Sequence, residues 1–360
     1  MRLVTPPVVI SPKPLPGRLY AWWGFPVVAS VAFLCLAALI GITVGKAALP
    51  ATLPFDMAAA RLGMSNGTIL PPHAETILLE IRLPRIVLAG LVGGALAVAG
   101  ATYQALFRNP LADPYLLGIA SGAGLGAVLA FILPMPFGLS RTGGVQVMAF
   151  LVALVTVAAV YTLARVGRSV PATTLLLAGV ALGAVANAAT AYLMYIRGDQ
   201  LLVIYAWLLG GFNAASWHQV RVVAPLVVVS AAAMVLGGRT MNVLQFGEEQ
   251  AAALGVRVER ARLILVVVAT LATAGAVSAS GLIGFVGLVV PHMTRLLFGA
   301  DYRQLLPTAA LLGAAFLIMA DTGARSLPGP SEVPVGIVTA AIGAPFFLIL
   351  LRRQKRAAFW

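Results

Sequence analysis

Charge is scarce in this 360-residue chain. Only 10% of its residues are Asp, Glu, Lys or Arg, against about 25% in an average soluble protein. Hydrophobic residues make up 61%, and the mean hydropathy is +0.99. A surface of that composition does not stay in water, which excludes a soluble enzyme, a nucleic-acid-binding module and a disordered chain. Cysteine is almost missing: Cys35 stands alone inside an apolar run, so neither an intrachain disulfide nor a cysteine metal site can form. His73, His218 and His292 are far apart and make no H-E-x-x-H pattern. There is no phosphate-binding loop, because Gly45-Lys46 is followed by Ala47 and lacks the upstream glycine. No G-x-S-x-G elbow surrounds Ser121, Ser278 or Ser280. Carboxylates are nearly absent from the apolar runs, Asp321 being the one candidate, whereas proton- or sodium-coupled carriers rely on ionisable groups at mid-depth. A substrate path with no engine of its own points to one subunit of a multi-subunit transporter.

What is present is a series of membrane-length runs. Charge-free stretches occur at 19–45, 86–107, 114–140, 142–164, 169–196, 200–220, 222–238, 263–294, 304–320 and 333–351, and about 20 apolar residues cross the hydrocarbon core. The stretch 263–294 is too long for one helix and has a soft break at Val277-Ser-Ala-Ser-Gly281, so it divides into two spans. The stretch 200–220 is apolar only from Leu201 to Leu209 before turning polar through Gly210-Gly-Phe-Asn-Ala-Ala-Ser-Trp-His218, which predicts a short interfacial or re-entrant helix. Ten spans result, an even number that puts both basic termini in the cytoplasm: an arm over 1–18 and a tail over 352–360, around one transmembrane domain over 19–351. The run from Leu19 is too long for a signal-peptide core and is read as a retained first span. In that topology 16 of the 24 basic residues face inward and 8 outward, and with 5 and 6 acids the two faces carry +11 and +2. The net +13 is thus mostly membrane topology, not a nucleic-acid patch. Glycines spaced by four, at 90/94, 118/122/126 and 179/183, predict close helix packing.

Four segments depart from plain spans. Ile81-Arg-Leu-Pro-Arg85 puts two arginines at an outer helix start, against the helix dipole; lipid headgroups or an acidic docking partner would favour them. Arg108-Asn-Pro-Leu-Ala-Asp-Pro114 reads as a tight inner double turn, with Asn109 or Asp113 available to cap the next helix. The inner segment from Arg239 to Arg262 holds Glu248-Glu-Gln-Ala-Ala-Ala-Leu254, a strong helix former stopped by Gly255. It is either a solvated connector or a helix that seats in a groove on a cytoplasmic partner. The run Gly281 to Arg295 carries Pro291 and His292 near its cytoplasmic end.

Arg82-Leu-Pro-Arg85 and Gln104-Ala-Leu-Phe-Arg-Asn-Pro-Leu-Ala-Asp-Pro-Tyr-Leu-Leu-Gly118 resemble the FecCD-type permeases, membrane subunits of type II ATP-binding-cassette importers for iron chelates, haem and vitamin B12. Leu175-Leu-Leu-Ala-Gly-Val-Ala-Leu-Gly183, Gly284-Phe-Val-Gly-Leu-Val-Val-Pro-His292, Asp301-Tyr-Arg-Gln-Leu-Leu-Pro307, Ala320-Asp-Thr-Gly-Ala-Arg325 and the run from Pro334 to Pro345 fit as well. The resemblance spans about residues 75–355. It implies an all-α, ten-helix, vitamin B12-importer-like fold, forming a homodimer with two cytoplasmic ATPase subunits and a periplasmic or lipid-anchored binding protein, in the inner membrane of a bacterium or archaeon. ATP and Mg would sit on the ATPase; the permease itself would hold no cofactor and do no chemistry. By position, Gly247, Glu248, Glu249, Ala252, Leu254, Gly255 and Val256 fall in the ATPase-coupling segment, and Ala172 and Thr173 at the cytoplasmic gate, here Val170-Pro-Ala-Thr-Thr174. Arg82, Arg85 and Arg325 fall where the binding protein docks. Met194, Tyr195, Tyr205 and His218 near the outer mouth are candidate transient cargo contacts. The expected cargo is an iron chelate, haem or ferric siderophore; cobalamin is the second reading, and an ATP-independent secondary carrier the distant rival.

Overall fold

The computed structural model describes residues 24–45, 73–134, 141–167, 169–329 and 331–358, with six positions between 50 and 59. The arm over 1–18 lies outside the described residues. Among the described residues, thirteen α-helices of six residues or more follow one another: α1 (Phe25–Thr43), α2 (Leu83–Leu106), α3 (Ile119–Ile132), α4 (Arg141–Leu163), α5 (Ala172–Ile196), α6 (Leu201–Leu208), α7 (Trp217–Leu236), α8 (Gly238–Leu244), α9 (Glu248–Ala253), α10 (Val258–Ser280), α11 (Val286–Phe298), α12 (Tyr302–Ser326) and α13 (Val335–Ala358). Seven are long and apolar enough to cross a membrane: α1, α2 with its N-terminal extension, α4, α5, α7, α10 and α12. The shorter apolar α3, α11 and α13 bring the set to the ten expected. The stretch 263–294 divides as expected, with α10 ending at Ser280 and α11 starting at Val286. The last helix runs unbroken to Ala358, so the basic tail begins as its continuation.

The start of α2 differs from expectation. Arg82 and Arg85 do not open a helix, because helical backbone begins at Ala74 and runs through a π-helical turn, Ile77–Arg82, into α2. Pro84 offers no N–H to the preceding turn, and the wider π turn accommodates the lost bond.

The centre of the bundle is α2. Nineteen of its 24 residues are buried, and it packs against α7, α10, α11 and α12. Small residues permit that crowding. A methyl group at Gly93 would overlap the carbonyl oxygen of Gly313 on α12, and one at Gly100 would overlap that of Gly287 on α11. These two, seven residues apart, carry the tightest approaches of α2. Of the pair noticed in the sequence, Gly90 meets only ordinary contacts and Gly94 approaches Ala310. Elsewhere Gly126 of α3 lies against the backbone of α4 at Met148, and Gly179 of α5 against Leu116. With no hydrophobic drive between helices in lipid, such backbone contact is what holds them together. In contrast, α1 and α5 expose broad apolar faces, including Val28, Val31 and Leu36 on the first and Leu177, Val180, Val185 and Tyr192 on the second.

Helix α6 is a short helix packed between α3 and the break after α10. Leu208 near its end approaches Gly124 in the middle of α3, and Gly210 rests on Leu282 in the break between α10 and α11. The chain then turns back, since the Trp217 indole Nε1 donates to Leu79 O, upstream of α2, at 2.8 Å.

Candidate coupling, gate and vestibule sites

At the end of the bundle expected to face inward, α9 is set off by two glycines in left-handed backbone, Gly247 (φ +113°) and Gly255 (φ +84°). Ala251 faces inward, while Glu248, Glu249, Ala252 and Leu254 are exposed, and Phe246 joins Leu254 as an apolar pair open to a partner. Gly247 itself is buried and Val256 half-buried. One side chain ties this segment to the rest of the inner face. Arg262, on the second turn of α10 and 4% exposed, pairs with Glu248, donates to Glu259 Oε1 at 3.1 Å and donates to Val170 O at 2.8 Å. Val170 lies two residues before Ala172, the first residue of α5. Thr174 Oγ1 closes the same loop by donating to Pro171 O and Ala164 O, both at 2.9 Å. Thr173 is exposed beside it. The resemblance implied a coupling segment over 247–256 and a gate loop over 170–174 as expectations; no signal in the sequence indicated that Arg262 touches both segments.

The inner double turn has a cap, but on a 3₁₀ turn (Pro114–Leu117) and not on α3. Asp113 Oδ1 accepts from Tyr115 N at 2.8 Å, while Asn109 Oδ1 accepts from Leu111 N at 2.9 Å. Burial pushes the Asp113 carboxyl up to about 6, offset by the Tyr115 amide it accepts from. From the same turn, Tyr115 OH donates to Ile283 O at 2.9 Å and accepts from Ile283 N at 3.2 Å. The break between α10 and α11 is thereby fastened to the inner turn.

At the opposite end, the one expected to face outward, the arginines form a buried ion cluster. Arg85 holds Asp321 of α12 in a forked pair (Nε–Oδ2 2.9 Å, Nη2–Oδ1 2.8 Å) and reaches Glu332 Oε2 at 2.7 Å through Nη1. Arg325 donates to Gly41 O and to Thr322 Oγ1, and its Nε lies 3.8 Å from Asp321 Oδ2. Arg82 donates to Ile42 O and to Thr43 O, the latter at 3.1 Å. All three are under 9% exposed. They staple the outer ends of α1, α2 and α12, and their guanidinium groups face inward. Asp321, the sole carboxylate that invited a carrier reading, is occupied by this pairing.

A cavity of about 610 Å³ opens beside the cluster. Its walls come from α6 and the loop behind it (Tyr205, Trp207, Phe212, Asn213), the start of α4 (Thr142, Gln146), Gln219 of α7, the end of α10 (Ser278, Ser280) and Ser331 with Glu332. Its floor is the contact of Gly210 with Leu282 and of Gly281 with the Trp207 carbonyl. Of the four cargo candidates only Tyr205 lines it. Met194 and Tyr195 end α5 and His218 sits on the first turn of α7, outside the lining. Gln146 and Gln219, which do line it, carried no sequence signal, since a lone glutamine matches no motif. Among the described residues there is no cluster of metal-ligating side chains.

Comparison with known proteins bears on the family and the fold. The FecCD transport family model matches residues 33–353. An ABC transporter permease protein of Bacillus subtilis, YvrB, is 41% identical across 90% of this chain and 92% of its own length. The cobalamin import system permease protein BtuC of Halobacterium salinarum is 48% identical across 80% of this chain and 77% of its own. The hemin transport system permease protein HmuU of Yersinia pestis is 46% identical across 78% and 84%. A solved structure described as an inward-facing conformation of a metal-chelate type ABC transporter superposes with a TM-score of 0.79 at 30% identity, covering 91% of this chain and 98% of that one. The chain therefore belongs to the FecCD transport family, the membrane permease subunits of ABC importers, in which a separate subunit hydrolyses ATP.

Proposed function

We propose that two copies of this chain, in the inner membrane with both termini cytoplasmic, form the path by which a metal chelate passes from an outer binding protein to the cytoplasm, driven by two ATPase subunits seated on α9. The leading cargo is an iron chelate, haem or ferric siderophore; the 48% identity to a cobalamin permease favours cobalamin as the second reading. The observation that carries the coupling part is Arg262. A movement of α9 imposed by the ATPase pulls on Glu248, and through one buried guanidinium reaches both α10 and the Val170 carbonyl at the gate. Rigid transmission of this kind needs a short, desolvated link, and charge-assisted hydrogen bonds supply it. Ala172 and Thr173 ride on that loop. Docking of the binding protein falls on the outer ends of α2 and α12, where Arg82, Arg85 and Arg325 form the ionic frame under the surface. The exposed apolar face of α5 supplies the contact with the second copy and, around the axis between them, the path. The internal pairing of Asp321 supports an importer over an ion-coupled carrier.

Reconstitution in liposomes with and without the ATPase subunits tests the reading. Chelate uptake is expected only with ATPase and ATP; uptake that persists without them overturns it. Arg262→Met should leave assembly intact while ATP hydrolysis continues without transport. Unchanged transport per ATP would remove Arg262 from the coupling path.

A further inference from the structure

A second chamber, of about 320 Å³, lies at the end of the bundle expected to face inward, where α7 passes into α8 and α10 begins. Val256 and Arg257, the link from α9 to α10, form one wall, and Gly237 with Thr240 another. Leu265, 5% exposed and beside Gly237, is the floor. The lining holds two cations and no acid: Arg257 at the N-cap of α10 and Arg260 three residues on. Neither guanidinium has a partner among the described residues, and neither has the Thr240 hydroxyl. The acids nearby are taken. Glu259, between the two arginines in sequence, and Glu248 both pair with Arg262, and Asp301 accepts from Asn242 Nδ2 and Arg303 N. Like charges so close repel, so an anion between them is favoured. From the chamber an uncovered apolar strip runs along the packed pair α7 and α10, with Val229 and Leu236 on the first and Ile264 and Val267 on the second.

We infer that this chamber binds the head group of an anionic phospholipid, its phosphodiester held between Arg257 and Arg260 and its acyl chains lying along the strip of α7 and α10. Guanidinium forks match phosphate oxygens in geometry as well as charge, and basic pockets between helices at the cytoplasmic face accept such head groups. A free phosphate would satisfy the arginines and leave the apolar strip bare; a phospholipid meets both at once. The lining also discriminates between lipids. The ammonium of a choline or ethanolamine head would bring a third cation to a chamber that already has two, with no carboxylate in its walls. A glycerol head brings hydroxyls, which pair with Thr240. The inference goes beyond the importer reading and takes from it only the leaflet, the cytoplasmic one.

The test titrates the full-length permease, in a neutral detergent, with phosphatidylglycerol or phosphatidylcholine of identical acyl chains. Native mass spectrometry counts the first lipid bound. Phosphatidylglycerol should bind about tenfold more tightly or better. Arg257→Gln and Arg260→Gln should each weaken it about fivefold, and together about 20-fold or more. Both arginines are exposed, so their removal leaves packing intact. Ala261→Phe, which fills the chamber and keeps both charges, should abolish the preference for phosphatidylglycerol. Arg165→Gln removes the same charge from an exposed arginine just past α4 and should leave the first lipid within about twofold. Equal binding of the two lipids overturns the inference. So does a preference that survives the double variant, or one that falls as far in Arg165→Gln. Competition by glycerol phosphate at the concentration of the lipid would assign the chamber to a soluble anion. Loss of the lipid when ATPase subunits assemble would assign it to that partner; either result overturns the lipid. Chelate uptake enters none of these readouts, so failure here leaves the importer reading standing, and failed uptake leaves the lipid site standing.

Discussion

Arg85 shows what a single side chain can do in this molecule. Its side chain is 9% exposed and that of Asp321 2%, so the pair exists in a place where neither charge is supportable alone. Replacing Arg85 with Leu should lower stability by about 3–5 kcal/mol, the usual cost of stranding one partner of a buried pair. The change is measurable as an unfolding midpoint in nanodiscs, and Asp321→Asn added to it should return part of the loss. Recovery by the second change identifies the stranded carboxylate, and not lost packing, as the cause. Asp113 makes the opposite case, a carboxyl whose burial favours its proton. With its folded-state value about 6 and its unfolded value near 3.9, the folded chain binds more protons between those limits. Stability should therefore fall as pH rises from about 4 to 6, by about 1–3 kcal/mol, and level off above. Asp113→Asn, which can still accept from Tyr115 N, should flatten that slope; an unchanged pH profile would place the titration elsewhere. The sequence marked Asp321 and the arginines as unusual. It gave no means of joining them, because their separation of 236 residues leaves no local pattern, and so the same arginines looked like free outer charges.

At the scale of helices, the ten spans were legible because hydropathy and charge report on each run independently. So was the break after Ser280, where polar small residues and glycine interrupt an apolar stretch too long for one crossing. The spacing picked out Gly122, Gly126 and Gly179, where an added methyl would overlap a neighbour, but which glycine of α2 matters was not legible. Spacing by four singled out Gly90 and Gly94, yet the approach of α11 and α12 makes Gly93 and Gly100 the sites without room. Gly100→Ala should sharply reduce the yield of folded protein, Gly93→Ala likewise, and Gly90→Ala should be tolerated; monodispersity after membrane extraction is the measurement. A well-folded Gly100→Ala variant would show that α2 and α11 can separate at that point. The coupling helix α9 makes a second case at this scale. Its two ends are fixed by backbone that favours glycine, so Gly255→Val should distort its exit without removing any contact to Arg262. ATPase assembly measured by co-purification should fall while the permease alone stays folded.

As a whole, the molecule is asymmetric in what it leaves uncovered. The central helix α2 is buried over most of its length, whereas α5 exposes most of an apolar face. A cysteine introduced at Leu177 or Tyr192 in a Cys35→Ser background should cross-link pairs of chains, giving a species of about twice 37.2 kDa. Positions on α1 such as Val31 should not. Cross-linking from α1 and none from α5 would move the dimer interface to the other side of the bundle. Composition could establish that such faces exist, since apolar residues exceed what ten helices can bury. It could not assign lipid to one and protein to another, because both solvents accept the same side chains.

The span of chain between Arg85 and Asp321 also has a meaning in time. A ribosome adds about 5–20 residues each second, so the 236 residues that separate the partners take about 10–50 s to make. Throughout that interval α2 has entered the membrane with its arginine but without the carboxylate that will neutralise it, and with glycine grooves still awaiting α11 and α12. The most buried helix of the finished protein is therefore the one whose companions arrive late. Nascent chains arrested before Asp321 should be the form on which membrane insertases and quality-control proteases act.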